Sequence, residues 1–251
     1  MNNMNKYIAA FLISLFSVVC VAQEDDGPAG YSYATYYVCD VATQDDMDEV
    51  VEQYEKATLD KYVEDGKLMA WGYLSHFTGG RWRRVMYHTS PTMQDAVNNQ
   101  QALFQEIYQD NPAAGQTRAE ACAAHDDYIW AAGQGSSPGS TRGEVSLSAY
   151  FVCDINREER ADEIVESHFA PILNQMAESG KISTWGWLSH RVGGKYRRLQ
   201  TMTGADHASV LAARGELLSQ AGDSNEELSD EFSDICFSHA DYLWNIIHET
   251  P

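Results

Sequence analysis

The chain has 251 residues, and its 17 basic and 37 acidic side chains give a formal net charge of −20. A surface this acidic repels nucleic-acid phosphates and anionic membranes, so both are excluded as general partners. The length is sufficient for two modest domains.

The first 22 residues predict an export signal: a lysine precedes an apolar run that ends at Val21, and the small residue Ala22 follows. We expect cleavage after Ala22, which leaves a flexible mature start at residues 23–30. Lipoprotein processing before Cys20 and retention as a membrane anchor are the alternatives. Cleavage predicts a periplasmic or secreted protein with no membrane partner, in an oxidising compartment.

An internal duplication is visible when the chain is compared with itself. A shift of 114 residues aligns 39–130 with 153–244 without a gap, and 27 of these 92 positions are identical. We therefore predict two repeats, 31–130 and 145–249. The Gly- and Ser-rich segment 131–144 is the predicted linker.

Each repeat is predicted to begin with a strand, over 31–41 and 147–155, because these segments are rich in Tyr, Val and Phe. A helix follows, with apolar residues at helical spacing from Ala161 to Met176 in the second repeat. Gly66 and Gly180 are expected to end these helices. A hairpin comes next.

The second half of each repeat begins with another helix, predicted to start near Ser90 in the first repeat and after Asp206 in the second. A shorter helical stretch then leads to Asp-Tyr-Ile-Trp or Asp-Tyr-Leu-Trp. We interpret this last segment as a short strand. The alternative is that the helix continues through Leu243.

The predicted order of strand, helix, hairpin, helix and strand is that of a ferredoxin-like β-α-β-β-α-β unit. Two such units in one chain resemble the dimeric α/β-barrel superfamily, which includes antibiotic-biosynthesis-monooxygenase-like, EthD-like and NIPSNAP-like proteins, chlorite dismutases and dye-decolourising peroxidases. The resemblance is one of element order and length. It implies an α+β fold in which tandem repeats form a barrel within one molecule, with an interior chamber.

Four cysteines remain after signal removal, two in each repeat and 83 residues apart: Cys39, Cys122, Cys153 and Cys236. In a ferredoxin-like sheet the last strand lies antiparallel beside the first, so the end of one meets the beginning of the other. We therefore expect the disulfides Cys39–Cys122 and Cys153–Cys236. A redox or metal-binding thiol is the less favoured alternative, because no Cys-x-x-Cys occurs.

The hairpin is the most similar part of the two repeats: WGYLSHFTGGRWRR at 71–84 and WGWLSHRVGGKYRR at 185–198. A two-residue primed turn at each Gly-Gly requires positive φ at both glycines. This register pairs His76 with Arg83 on one face and places Trp71 and Trp82 together on the other.

Arginine and histidine on a covered sheet need acceptors, which leaves two interpretations of the hairpin. One is internal salt bridges to aspartates matched between the repeats: Asp40, Asp127, Asp154 and Asp241. The other is a pocket whose arginines grip the carboxylate of a small molecule. Its candidate catalytic residues are His76, Arg83, His190 and Arg197. Its candidate ligand-binding residues are Trp71, Ser75, Arg84, Trp185, Ser189 and Arg198.

We therefore predict an exported barrel that binds a small anionic or aromatic organic ligand in its interior. The enzymatic version is a cofactor-independent oxygenase or isomerase. No cofactor is expected, and haem with His76 or His190 as axial ligand is the alternative. No metal is expected either, because the His125-x-Asp127 pattern is more typical of a histidine oriented by an aspartate.

The alternative to ligand binding is a structural or interaction protein of the cell envelope. It predicts a barrel interior filled by aromatic side chains, namely Trp71, Trp82, Trp185 and Tyr196. Self-association through exposed sheet edges is a further expectation.

Overall fold

A computed structural model describes residues 28–136 and 140–250. The predicted signal segment 1–22, residues 23–27 and residues 137–139 of the predicted linker lie outside the described residues. Within the described part of the chain, no helix combines the length and apolar character needed to cross a bilayer.

The two repeats have the same sequence of elements, and both match the predicted order. The first contains β1 (Tyr31–Val38), α1 (Gln44–Val50), a π-helical turn (Val51–Glu55), α2 (Lys56–Glu64), β2 (Ala70–Thr78), β3 (Arg84–Ser90), α3 (Met93–Gln109), α4 (Pro112–Ala121) and β4 (Ala124–Gly135). The second contains β5 (Val145–Val152), α5 (Glu158–Ile164), a π-helical turn (Val165–Phe169), α6 (Ala170–Glu178), β6 (Thr184–Val192), β7 (Arg198–Gly204), α7 (His207–Ser224), α8 (Glu226–Ile235) and β8 (Ser238–Glu249).

The helix ends follow local sequence signals. Gly66 and Gly180 adopt φ of 71° and 74°, the left-handed conformation that ends a helix, as predicted. Asp206 caps α7 through a hydrogen bond from the Ser209 backbone N–H at 2.8 Å. Helix α3 begins later than expected, because Thr92 is its cap.

All eight strands close into one barrel in the order β1-β3-β2-β8-β5-β7-β6-β4. Each repeat contributes four antiparallel strands, and the repeats join where β2 pairs with β8 and β4 pairs with β6. The hairpin strand of each repeat is thus bonded to the last strand of the other. Because the barrel is closed, the described strands leave no free edge for the self-association that we expected.

The last strand of each repeat is longer than predicted. Strands β4 and β8 each have 12 residues, so the alternative of a helix that continues through Leu243 is wrong. Residues 131–135 of the predicted linker belong to β4. Their second halves pair with the other repeat, as in Ala131 with Ser189 and Asn245 with Ser75. The sequence did not predict this length because the pairing partner lies in the other repeat.

Both predicted disulfides are present. Val38 at the end of β1 lies opposite Ala124 at the start of β4, and Cys39 and Cys122 just outside this pair are joined by an S–S bond of 2.05 Å. Cys153 and Cys236 are joined in the same way, at 2.10 Å. The disulfides therefore confirm the predicted neighbourhood of first and last strands.

The described residues form three hydrophobic cores. Two lie between the helices and the outer face of the barrel, one in each repeat. The third lies inside the barrel and is mainly aromatic. Alternation along the strands separates inner from outer side chains.

Candidate functional site

The hairpin has the predicted register but a different turn. Leu74 pairs with Val85, and the His76 backbone N–H donates to the Arg83 carbonyl at 2.9 Å. Only the first glycine of the pair, Gly79, has positive φ, at 139°, so the primed two-residue turn is wrong. The chain leaves the regular ladder before β3, which turns Trp82 into the barrel interior.

Both predicted ligand-binding tryptophans are buried in the outer cores on the helical side of the sheet, and Trp185 also borders the cavity inside the barrel. The indole N–H of Trp71 donates to Asp60 at 2.9 Å, and that of Trp185 donates to Asn174 at the same distance. Trp71 belongs to the outer core and is separated from Trp82, which contradicts the expected shared face.

Three of the four repeated arginines, Arg84, Arg197 and Arg198, form internal ion pairs with the first helix of their own repeat, whereas Arg83 donates to the Gln44 side chain at 3.1 Å. Arg84 donates two hydrogen bonds to the Asp48 carboxylate, both of 2.6 Å. Arg198 does the same to Asp162 at 2.7 Å and also binds Glu158 at 3.0 Å. These three arginines therefore do form internal salt bridges, but with carboxylates other than the predicted ones.

The aspartates predicted as partners of the hairpin arginines make other contacts. Asp127 accepts a hydrogen bond from the Thr35 hydroxyl at 2.8 Å and lies 3.3 Å from the His125 ring. Asp40 accepts from the Ala42 backbone N–H at 2.8 Å. The sequence pattern did not predict the true partners, because they lie on helix α1 and its counterpart α5.

The two candidate catalytic histidines lie at the seam between the repeats. Burial and the adjacent arginine lower the pKa of His76 and of His190 below the usual value, so both rings are neutral near pH 7. Arg197 contacts His190 Nδ1 at 2.8 Å, whereas neither ring nitrogen of His76 has a hydrogen-bond partner among the described residues. The His76 ring lies edge-on to Trp244, 6.1 Å between centroids.

Three candidate residues of the second repeat border a polar cleft of about 470 Å³: Ser189, His190 and Arg198. The same cleft is lined by the carboxylates of Glu158 and Glu159. With Asp162, Arg191 and Arg198 also in the wall, acidic side chains outnumber basic ones, and this negative charge disfavours an anionic ligand.

A separate cavity of about 260 Å³ lies inside the barrel, with side chains from all eight strands in its wall. Hydroxyl groups contribute much of its polar surface: Ser32, Thr89, Ser146, Ser148, Thr184 and Thr201. Towards the hairpins it ends at packed rings that we call the aromatic plug: Tyr36, Trp82, Tyr128, Tyr150, Tyr196 and Tyr242. None of the candidate catalytic residues lines this cavity.

The opposite end of the cavity carries a charged cluster that sequence analysis missed. Arg142 Nε lies 2.7 Å from a carboxylate oxygen of Glu249, and the Tyr87 hydroxyl donates to the other oxygen. Burial raises the pKa of the Glu249 carboxyl, with Arg142 acting in the opposite direction. Arg142 comes from the predicted linker and Glu249 from the end of β8, so no local spacing connects them.

Two equivalent tryptophans of the cavity wall, Trp130 and Trp244, differ in their hydrogen bonding. The Trp130 indole N–H donates to the Tyr36 hydroxyl at 3.1 Å. The equivalent Trp244 is fully buried, and its indole N–H has no partner among the described residues. An unpaired buried donor costs about 1–3 kcal/mol, so this position favours an acceptor supplied from the cavity.

Comparisons with known proteins identify the fold. Neither the known family models nor the curated proteins contain a match to this sequence. Among solved structures, an anthrone oxidase-like protein superposes with a TM-score of 0.57 at 8% identity, over 90% of this chain and 94% of its own. A chlorite dismutase from Candidatus Nitrospira defluvii superposes at 0.55 and 9% identity, over 89% and 92% of the two chains. The chain has the dimeric α/β-barrel fold. At these identities the likeness concerns the fold alone.

Haem is the cofactor that the resemblance to chlorite dismutases implies for a dimeric α/β barrel. The interior cavity has no histidine, cysteine or methionine in its wall that could serve as an axial ligand. Burial raises the pKa of Tyr36 and Tyr150 above the usual value, which disfavours the phenolate that would bind iron. The interior therefore does not fit haem.

Metal binding by the paired His and Asp residues was the other inorganic alternative. In the parts of the barrel that the structure describes, no three His, Cys, Asp or Glu side chains are grouped to hold a metal ion. His239 and Asp241 stand 3.4 Å apart as an isolated pair, as do His125 and Asp127.

Proposed function

We propose that this protein is an exported binding protein that holds a small anionic or aromatic organic molecule inside its barrel. The unpaired indole N–H of Trp244 in the cavity wall is the observation that carries this proposal. Three solved structures of the same fold are assigned or likened to oxidases and monooxygenases, which supports a fold suited to small molecules.

The cavity chemistry defines the ligand class. Rings of Trp130, Tyr150 and Trp244 offer apolar faces, while the hydroxyl groups and the Trp244 N–H offer donors. Arg142 lines the far end but is already paired with Glu249, so the Trp244 N–H and the hydroxyl groups remain as donors to a ligand oxygen. A planar aromatic body with one carboxylate or phenolic oxygen satisfies all of these groups.

The test is a calorimetric titration with salicylate and 1-naphthoate as probes. Trp244→Phe removes the free donor and is expected to weaken binding about tenfold, because one hydrogen bond is worth about 1.5 kcal/mol. Trp130→Phe is the matched control, although it also frees the Tyr36 hydroxyl. Ser148→Leu adds volume to the cavity wall and is expected to abolish binding. Unchanged affinity in Trp244→Phe and Ser148→Leu would contradict the proposal.

Catalysis is a second proposal, and His76 supports it. The His76 imidazole has no hydrogen-bond partner on either nitrogen among the described residues and can accept a proton, as a cofactor-independent oxygenase or isomerase requires. Because His76 lies outside the wall of the interior cavity, this reaction would take place at the seam between the repeats. Oxygen uptake with anthrone as probe tests it, with His76→Gln and Arg83→Gln as variants. Uptake that is absent in the parent protein, or equal in the parent and His76→Gln, removes the proposal.

Export is the third part of the proposal. The two disulfides support an oxidising compartment. N-terminal sequencing of protein recovered outside the cytoplasm is expected to begin at Gln23. A chain that begins at Cys20 would instead indicate lipoprotein processing.

A further inference from the structure

A mainly apolar cavity of the second repeat lies outside the barrel interior. It measures about 450 Å³ and lies between helices α7 and α8 and the outer face of the sheet. Its wall is mostly apolar: Phe151, Phe169, Leu173, Trp187, Leu217 and Phe232. Two charged residues lie in this wall, Arg214 of α7 and Asp241 of β8.

Arg214 lacks a counter-charge. Its guanidinium donates to the Gln200 side chain at 2.7 Å, and no described carboxylate lies within ion-pairing distance. Burial lowers its pKa below the usual value. The charge that acts against this is Asp241, which lines the same cavity without forming an ion pair with Arg214 and lies 3.4 Å from the His239 ring. A cation held in an apolar cavity without a paired anion is costly, so an anion from solution is stabilised there.

The first repeat provides an internal comparison, because its equivalent space is filled. Only about 20 Å³ remains there, around the buried ion pair of Arg118 and Glu55, 3.5 Å apart. The Tyr37 hydroxyl accepts a hydrogen bond from Arg118, and the Tyr108 hydroxyl donates to Glu55. The first repeat thus contains both charges and needs no ligand.

The positions 114 residues later show how the second repeat opens this space. Three bulky side chains become smaller, as Phe104, Ile107 and Tyr108 correspond to Leu218, Ala221 and Gly222. Both members of the ion pair become phenylalanine, as Glu55 and Arg118 correspond to Phe169 and Phe232. A new cation appears, as Gln100 corresponds to Arg214. Loss of the internal anion, gain of volume and gain of an unpaired cation all occur at one place.

We propose that this cavity is a second binding site, which takes an amphipathic anion with one carboxylate and an apolar chain. The carboxylate pairs with Arg214, and the chain lies against Phe151, Phe169 and Phe232. The site is independent of the barrel interior, because the sheet separates the two cavities and Trp185 is the one residue in both walls.

The experiment is a calorimetric titration of the whole protein with dodecanoate, with 1-dodecanol as the uncharged probe of equal chain length. Arg214→Gln installs the residue of the first repeat and is expected to weaken dodecanoate binding at least tenfold while leaving dodecanol unchanged. Leu218→Phe, at a half-exposed position, and Ala221→Ile refill the cavity and are expected to abolish binding of both. Trp244→Phe, which alters only the interior cavity, is expected to leave dodecanoate binding intact.

Two results would overturn the inference. One is equal affinity for dodecanoate and dodecanol in the parent protein, because the cation would then contribute nothing. The other is an unchanged dodecanoate affinity in Arg214→Gln. Should Ala221→Ile fail to fold, Arg214→Gln and Leu218→Phe still decide the question. Loss of binding in Trp244→Phe but not in Arg214→Gln would assign the ligand to the barrel interior.

Discussion

The ring of Tyr242 lies directly against Gly79 of the other repeat, and Tyr128 lies in the same way against Gly193. A Cβ at Gly79 would come within 2.7 Å of the Tyr242 ring and 2.8 Å of the Asp241 carbonyl oxygen. The Gly-Gly of each hairpin is thus a contact surface for an aromatic residue of the partner repeat. This explains why both copies retain the hairpin sequence: it forms the seam that closes the barrel.

Gly79→Ala is expected to lower the free energy of unfolding by about 2–4 kcal/mol, because the methyl group meets Tyr242 and φ of 139° is strained for alanine. Gly215→Ala in helix α7 is the matched control. No atom lies near its added Cβ, so the same change should stabilise by up to about 1 kcal/mol. Urea unfolding measures both free-energy changes. Equal effects of the two substitutions would contradict the close contact between Gly79 and Tyr242.

Arg84→Met is expected to destabilise by about 3 kcal/mol, because it removes two of the three hydrogen bonds that the Asp48 carboxylate accepts and leaves only the one from the Tyr73 hydroxyl. The figure lies at the low end for a buried pair, since about a third of the Asp48 side chain is exposed. The double variant Arg84→Met with Asp48→Leu should recover part of this loss in thermal unfolding. The affinity for salicylate should not change in either variant. A changed affinity would show that Arg84 takes part in ligand binding.

Removing either disulfide by paired Cys→Ser substitutions is expected to cost roughly 4 kcal/mol, from the entropy of the long loop that each closes. The two losses should be similar, because both bonds span 83 residues. Chemical denaturation of each double variant measures them. A negligible loss in one repeat would show that its unfolded chain stays compact without the bond.

Burial lowers the pKa of His88 from 6.5 to about 4. Because the unfolded state then binds more protons between these two pH values, the free energy of unfolding should fall as pH decreases from about 6.5 to about 4. Below about pH 4 the titration of His88 should change it little. The loss amounts to about 3 kcal/mol. His88→Met, which installs the buried residue Met202 of the second repeat, should flatten the profile in this window. An equal slope in both proteins would contradict the assignment.

The candidate site was predicted only in part, and the hairpin shows why. Strand alternation correctly placed Leu74 and Val85 on one face and Trp71 on the other, because alternation is local. It did not show which face is the inner one, and Trp71, expected in the barrel interior, lies in the outer core. It failed at Trp82, where the chain leaves the ladder after Gly79. Arg142, Glu249 and the free Trp244 N–H were missed because they are brought together by pairing between repeats, which leaves no spacing signal in either repeat.

The sequence by itself determined the two repeats, the order of their strands and helices, and the disulfide in each, because these depend on periodicity, capping and the adjacency of β1 and β4 within a repeat. Only the tertiary structure decided which side chains line a cavity and which are used up in ion pairs. The physical reason is that closure of the barrel joins β2 to β8 and β4 to β6, and the burial and charge balance of every inner residue follow from those contacts.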